Sequence, residues 1–146
     1  MVAYNKFNHF LDDVMNGKHV IGDESGKDTL MIYLSNTAPD AENDLVRGDC
    51  AEIASGNGYD TNGKDVANDA ARSTTTFTLT GTKCVWTATP AAMATFRYVI
   101  LYNSSSLDRM IAWWDYGVGG LTLNPGETFT VKFNNGDPSG TIFTFA

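Results

Sequence analysis

Short runs of alternating apolar and polar residues recur along this chain, and turn-forming residues separate them. Such alternation places every second side chain on one face of a β-strand. Glycine, asparagine and proline at the intervening positions favour tight turns. The pattern predicts strands at residues 29–35, 74–80, 83–88, 96–102, 110–114, 127–133 and 141–146. Residues 66–72 fit either a weak strand or a loop.

Residues 96–116 are the aromatic centre of this pattern and predict two strands joined by a polar turn. The first strand should direct two sets of side chains to opposite faces, Phe96, Tyr98, Ile100 and Tyr102 against Val99 and Leu101. The return strand should do the same with Met110, Ala112 and Trp114 against Ile111 and Trp113. Apolar residues on both faces indicate a hairpin that is covered on both sides.

The N-terminal region has helical rather than strand periodicity. One apolar stripe is expected from spacings of three, four and seven residues: Phe7, Phe10, Leu11 and Val14. Asn5 is a candidate N-cap, and Gly17 lies where a helix ends in the left-handed conformation. Because so short a helix is marginal in water, its stripe must dock either on its own domain or on a neighbouring subunit.

Two further turn signals complete the predicted outline. Asn62–Gly63 is typical of a β-hairpin, and Gly81–Thr82 should turn the chain between two strands. The expected architecture is a mainly β protein, an antiparallel β-sandwich of the jelly-roll type with one short N-terminal α-helix. We expect residues 1–146 to form one domain, with residues 1–17 as an N-terminal arm, because this length can bury about 70% of the unfolded surface.

Charge narrows the range of partners. Ten basic residues against seventeen acidic ones give a formal net charge of −7, and the basic residues form no cluster. Binding to a nucleic-acid backbone requires several Lys or Arg side chains on one face. The composition therefore argues against nucleic acid and against an anionic membrane surface as partners.

Cysteine content and apolar runs bear on the compartment. Cys50 and Cys84 are too few and too far apart for a metal knuckle or a disulfide framework. Two free thiols in a reducing cytosol are the expectation, and a single disulfide is the alternative. The start of the chain has no apolar leader, and no run approaches the ~20 apolar residues of a membrane span. We expect synthesis and folding in a cytoplasm.

Residues with catalytic or metal-binding chemistry are sparse and scattered. His9 and His19 are the two histidines, and neither belongs to an HExxH motif. The chain also has no G-x-S-x-G motif and no phosphate-binding loop. We therefore expect no enzyme activity, no cofactor and no metal.

Acidic residues give two weaker signals. The adjacent pairs Asp12–Asp13 and Asp23–Glu24 are typical of a solvated surface, whereas a glycosidase needs two carboxyls facing across a cleft. Residues 60–64 begin like a calcium loop, but a cation at Lys64 and the missing glutamate oppose that interpretation.

Tryptophan allows two interpretations. Trp86, Trp113 and Trp114 can be core and sheet-surface residues, or they can form an aromatic platform for sugars. A platform needs an exposed ring, and sequence alone does not determine exposure.

The order of several segments over nearly the whole chain resembles a group of small tailed-bacteriophage proteins. The segments are AYNKFNHF followed by a glycine, TLMIYLSNTAP, EIASGNGY, FRYVILYN, and WWDYG before LNPGETFTVKF. This resemblance implies a structural protein of the virion. Within that setting we expect a capsid decoration (cement) protein, with a tail-associated or host-adsorption protein that binds a glycan or another tail protein as the alternative.

A cement protein has partners rather than substrates. The expected partners are the major capsid protein and other copies of this chain, in a homo-oligomer such as a trimer. The expected location is the capsid surface of the virion. The candidate contact residues are in the N-terminal arm and the final strand: Tyr4, Phe7, Phe10, Phe143 and Phe145. An open edge strand at a chain end can extend a neighbouring sheet. Packing within the monomer is the alternative for both segments.

Overall fold

The structure is a computed structural model, and it describes residues 2–22 and 25–146. It is mainly β, with antiparallel strand pairs and one short helix, as predicted. The strands are β1 (Tyr4–Lys6), β2 (Leu30–Ser35), β3 (Lys64–Asp65), β4 (Asp69–Ser73), β5 (Thr76–Thr82), β6 (Cys84–Thr87), β7 (Tyr98–Asn103), β8 (Arg109–Asp115), β9 (Thr128–Val131) and β10 (Ser139–Phe145). The helix is α1 (Phe10–Met15), and Arg47–Asp49 and Phe133–Asn135 are single 3-10 turns.

The strands form one large sheet and two small ones. The five-stranded sheet has the order β1-β8-β7-β2-β3, the three-stranded sheet β10-β5-β4, and the remaining pair is β6-β9. Only Lys83 separates β5 from β6. The β9 strand pairs with β6, and the β10 strand pairs with β5.

One face of the five-stranded sheet packs against the two smaller sheets. Leu34 and Val99 on the large sheet share a buried cluster with Leu79 on β5, Trp86 on β6 and Val131 on β9. Because these residues lie far apart in sequence, the cluster holds all three sheets together through apolar burial.

The opposite face of the same sheet carries a second cluster, which we call the second-face cluster. Its buried members are Phe7, Tyr33, Cys50, Tyr98, Ile100, Tyr102 and Met110. The segment after β2 covers part of this face, since Cys50 belongs to the cluster and its carbonyl accepts from the Tyr33 hydroxyl. The central hairpin is thus covered on both sides, as predicted.

The N-terminal helix is shorter than the sequence pattern predicts. Asn5 lies in β1 instead of capping the helix, and the N-cap is His9, which makes no side-chain capping bond. Phe7 belongs to the second-face cluster, and Leu11 is exposed. The strand pairing of β1 with β8 satisfies backbone groups that a longer helix would satisfy internally, so the strand replaces the first predicted turn.

The helix ends as predicted at Gly17, which has a φ of +67°. The N–H of Lys18 donates to the carbonyl of Asp13 and the N–H of Gly17 donates to that of Val14. This pair of bonds is a Schellman motif, and its left-handed residue favours glycine.

A β-bulge changes the predicted alternation in the central hairpin. The register of β7 and β8 shifts between Leu101 and Tyr102, where one extra residue enters β8. Met110 consequently shares a face with Trp113, and Ile111 belongs with Ala112 and Trp114 on the other face. The predicted face of Phe96 was also wrong. Phe96 precedes β7, so the alternation of that strand does not extend to it, and its ring lies in the cluster between the sheets.

The remaining strands differ from their predicted bounds mainly at their ends. The ambiguous segment contains β4, which makes a two-residue turn into β5. Gly81 does not turn the chain, because it is buried within β5 against Phe133 and Ile142. Asn62–Gly63 does form a turn, but the strand that follows it, β3, pairs with β2 rather than with a preceding hairpin strand.

Between β9 and β10 the chain makes a compact excursion over residues 132–138. Asn134 and Asn135 both have left-handed backbones, which asparagine tolerates better than most residues. A Cβ on Gly140 would overlap the carbonyl oxygen of Phe133, so only glycine permits this close return. The left-handed asparagines and the close return at Gly140 therefore fix the backbone conformation of residues 132–138.

Candidate functional site

A groove of about 750 Å³ lies beside the two terminal strands. Residues 2–4 and β8 form one wall, and residues 130–135 and 141–144 form the other. Both β1 and β10 are edge strands of their sheets. We call this feature the aromatic groove.

Aromatic rings from distant parts of the chain line the groove. The Trp114 ring lies 5.8 Å from that of Tyr4 and 5.7 Å from that of Phe133. Tyr4 also lies 6.3 Å from Phe143, and all four residues line the groove with Tyr116. Tyr4 is 36% exposed. Trp114 and Tyr116 are half-buried, so part of each ring borders the groove.

The polar groups of the groove lack partners within the protein. Within the described residues, the side-chain hydroxyls and amides of the lining and its indole N–H form no hydrogen bond to this chain. These groups belong to Tyr4, Trp114, Tyr116, Thr130, Asn134, Asn135, Thr141 and Thr144. None of them is a buried orphan, so they remain accessible to water or to a ligand.

The groove has little net charge. Lys132, the cationic residue of the described lining, donates through Nζ to Asp137 at 2.6 Å, and Lys83 donates to the same carboxylate at 2.7 Å. Those two ammonium groups lower the pKa of Asp137 to about 2. Burial raises the pKa of Tyr4 to about 12 and also raises that of Tyr116, so both phenols stay neutral at ordinary pH.

A second surface near the chain ends is mainly apolar. A shallow depression of about 390 Å³ is lined by Val14, His19, Val20, Ile21, Gly22, Phe77 and Phe145, and Met15 is exposed at the end of the same helix. We call Val14, Met15, Val20, Phe77 and Phe145 the terminal apolar surface. A shallow apolar surface of this kind offers protein contact rather than chemistry.

The five contact residues predicted from the sequence fall into two groups. Phe143 connects three of them, since its ring lies 6.3 Å from Tyr4, 5.5 Å from Phe10 and 5.1 Å from Phe145. Phe7 lies apart in the second-face cluster, 4.7 Å from Trp113. Tyr4 and Phe145 are exposed, Phe143 is half-buried, and Phe7 and Phe10 are buried.

A buried ionic cluster fixes the helix to the large sheet. Asp13 is 2% exposed and its carboxylate lies 3.1 Å from Lys18 Nζ, 3.3 Å from Arg109 Nη1 and 3.7 Å from His9 Nε2. His19 lies beside this group, and its Nδ1 accepts from the side-chain amide of Asn103 at 2.9 Å. The charges of Asp13, Lys18 and Arg109 offset one another across the helix and the sheet, which is a structural role. His9 Nδ1, His19 Nε2 and Arg109 Nε are buried and have no hydrogen-bond partner among the described residues.

The cysteines are free and buried, as expected for reduced thiols. Cys50 is in the second-face cluster and Cys84 is in the cluster between the sheets, so the large sheet separates them. Burial raises the pKa of both thiols, that of Cys84 to about 11, which opposes a nucleophilic role.

Other candidate chemistry is limited in the part of the chain that the structure describes. There, no group of three or more His, Cys, Asp or Glu side chains is placed to hold a metal ion. No helix of residues 2–22 and 25–146 is long and apolar enough to cross a membrane. The Asp23–Glu24 pair considered above lies outside the described residues.

The tryptophans occupy three different environments. Trp86 is 1% exposed and stacks with Tyr59 and Phe129, so it is a core residue and not a sugar platform. Trp113 borders the second-face cluster, and Trp114 lines the aromatic groove.

Sequence reasoning considered Trp114 but missed Tyr116 and the two asparagines of the excursion. No local signal could have found them, because the groove forms only when both chain ends meet.

Comparison of this chain with protein-family models, with curated proteins and with solved structures finds no match. The resemblance to phage proteins is therefore a hypothesis that depends on the sequence segments alone.

Proposed function

We propose that this chain is a structural protein of a tailed-bacteriophage particle, and that it binds the outside of the assembled capsid and stabilises it. The observation that carries this proposal is the terminal apolar surface beside an open edge strand. The order of the sequence segments supplies the phage setting. The proposed protein has no catalytic activity, is made in the host cytoplasm and resides on the capsid surface.

Exposure near the chain ends supports a protein-binding role. Met15 is 79% exposed, and Val20 and Phe145 are 48% and 38% exposed. Large apolar side chains that share one exposed surface are typical of protein interfaces. Burying them against a partner would release water from apolar surface and favour association.

The final strand offers a second mode of contact. Because β10 is an edge strand, one row of its backbone groups has no partner strand. Main-chain hydrogen bonds to an extended segment of the capsid protein, or to another copy of this chain, would satisfy that row. We propose the major capsid protein and a homo-oligomer, such as a trimer, as its partners.

Such contacts would stabilise a capsid by mass action. A protein that binds only the assembled shell adds its binding free energy to that state and opposes rupture. Many copies on a symmetric lattice add their individually weak contributions. The finer architecture that we propose is a jelly-roll sandwich, supported by the packing of the large sheet against the two smaller ones.

The test is cryo-electron microscopy of particles assembled with wild-type chain or with variants of the terminal apolar surface. The triple change Met15→Ser, Val20→Ser and Phe145→Ser should lower occupancy on the capsid at least about tenfold through lost apolar burial. The matched control is Leu107→Ser with Val118→Ser, which alters two exposed apolar residues outside this surface. Wild-type density confined to a few copies on the tail would reject the proposal.

A second candidate function is host adsorption through a glycan. The aromatic groove favours this function. It has aromatic rings and unpartnered polar groups, whereas the surface proposed for the capsid contact is mainly apolar. A tail location of the chain would be compatible with this second function.

A further inference from the structure

The aromatic groove combines exposed ring area with polar groups that have no partner in the chain. We propose that it binds an uncharged oligosaccharide. This inference rests on the second candidate function and does not depend on capsid binding. It assigns a ligand class to the groove and a role to each part of its lining.

The rings supply the apolar part of the recognition. The Trp114 ring contacts two other aromatic rings of the lining, with centroids 5.8 Å from that of Tyr4 and 5.7 Å from that of Phe133. A pyranose has apolar C–H faces, which can stack on aromatic rings and release water from both surfaces. Phe133 is buried and forms the floor, whereas Tyr4 and Tyr116 leave part of their surface free for a ligand.

The unpartnered groups supply the polar part. The phenol hydroxyls of Tyr4 and Tyr116 can donate or accept, the Trp114 indole donates, and the Asn134 and Asn135 amides do both. Sugar hydroxyls likewise donate and accept, so they can replace water at each of these positions. Aromatic walls with a few convergent polar groups are the usual composition of a small-ligand site.

Charge selects among sugars. Lys132 and Lys83 are both paired with Asp137, so among the described residues the rim offers no unpaired cation to an acidic sugar. The described lining contains no carboxylate of its own. A neutral saccharide therefore fits the groove better than a sialic acid or a phosphorylated sugar.

Secondary structure frames the groove. Its walls combine residues of β1, β8, β9 and β10 with residues 2–3, Tyr116 and residues 132–135, and its volume of about 750 Å³ lies within the range of small-ligand sites. The Asn134–Asn135 corner is held by the close return at Gly140. A preformed site has less ordering entropy to lose on binding.

An extended peptide is the competing occupant, because β1 and β10 have open edges. Such a peptide would use backbone groups and pockets for alternate side chains. It would leave the row of free hydroxyls and amides without a specific role, and for this reason the lining favours the sugar.

The experiment is saturation-transfer NMR with wild-type protein and three neutral probes: maltotriose, mannotriose and tri-N-acetylglucosamine. We expect at least one to bind with a Kd of about 1 mM or lower. The charged probe 3′-sialyllactose should bind at least about tenfold more weakly than that best neutral probe, because the lysines of the described rim are already paired with Asp137. A peptide of residues 139–145 tests the strand alternative.

The decisive variant is the double change Tyr4→Phe and Tyr116→Phe. It removes two hydroxyls and keeps both rings, so sugar affinity should fall about tenfold while the melting temperature stays close to that of wild type. The matched control is Tyr98→Phe, whose hydroxyl lies outside the groove lining. Trp114→Phe, which removes the indole N–H and reduces ring area, should also weaken the best sugar.

Three results would overturn the inference. They are the failure of all three neutral probes at about 10 mM, equal affinity in wild type and the double variant, and binding of the peptide in place of the sugars. Capsid occupancy is measured separately, so loss of sugar binding in a chain that still decorates the capsid rejects this inference alone. Sugar binding by a chain that is absent from the capsid rejects capsid decoration alone.

Discussion

Two aromatic regions on the same sheet differ in how their polar atoms are satisfied. In the second-face cluster, the Tyr33 hydroxyl donates to the carbonyl of Cys50 at 3.0 Å. Tyr102 donates to the carbonyl of Asn62, also at 3.0 Å. In the aromatic groove, the hydroxyls of Tyr4 and Tyr116 have no such partner among the described residues.

This difference separates residues that maintain the fold from residues that can bind. A buried phenol needs a partner, because burying an unsatisfied polar group costs free energy. Tyr33 and Tyr102 meet this requirement through the carbonyls of Cys50 and Asn62 and thereby fix those loops to the sheet. The groove tyrosines stay near solvent, so their hydroxyls are available to a ligand without loss of an internal bond.

The largest expected effect is the truncation of a ring in the second-face cluster. Tyr33→Ala should lower the free energy of unfolding by about 3–5 kcal/mol, because it opens a cavity and removes the bond to Cys50. Tyr4→Ala in the groove should cost about 1 kcal/mol or less, since that ring is partly exposed. Urea denaturation measures both, and similar losses would contradict the comparison.

Removal of a single hydroxyl sharpens the same comparison. Tyr33→Phe should cost about 1–2 kcal/mol because it leaves a buried carbonyl without its donor. Tyr116→Phe should change stability by less than about 0.5 kcal/mol, because no internal bond is lost. Thermal unfolding followed by near-UV circular dichroism distinguishes the two. A large loss in Tyr116→Phe would show that its hydroxyl has an internal role.

Acid should weaken the fold through His19, which lies in the ionic cluster at the helix. Burial lowers the pKa of His19, opposed by the charges of Asp13 and Asp28, while His9 and Arg109 lower it further. The unfolded chain therefore takes up a proton near pH 6.5, where folded His19 remains neutral. Its contribution is fully present above about pH 6.5 and is lost as pH falls toward the lowered pKa.

Urea denaturation between pH 5 and 8 checks this expectation. The free energy of unfolding should decrease below about pH 6.5 in wild type, and His19→Gln should flatten that part of the curve. Sugar affinity of the groove should stay constant over the part of this range in which the protein is folded, because both groove phenols have raised pKa values. An unchanged pH curve in His19→Gln would contradict the assignment.

Local patterns predicted much of the fold. Alternation placed most strands within a few residues, because the side-chain period of a strand is a local property. Gly17 ended the helix as expected, since its left-handed backbone is also a local requirement. The bulge at Leu101 and Tyr102 was not predicted, because an extra residue in β8 has no distinct composition.

The candidate site was less predictable than the fold. The sequence identified Tyr4, Phe143 and Trp114 as residues of interest without bringing them together. Their proximity depends on β1 pairing with β8 and on β10 pairing with β5. Each pairing joins one end of the chain to a strand from its interior, and no local pattern encodes it.

The most direct test follows the three indole N–H signals of 15N-tryptophan-labelled protein during titration with the best-binding neutral trisaccharide. Each signal reports one region, since Trp86 lies in the core, Trp113 borders the second-face cluster and Trp114 lines the groove. We predict that the Trp114 signal shifts in proportion to occupancy while the other two stay fixed. A shift confined to Trp113 or Trp86, or no shift at saturating sugar, would contradict the assignment of binding to the groove.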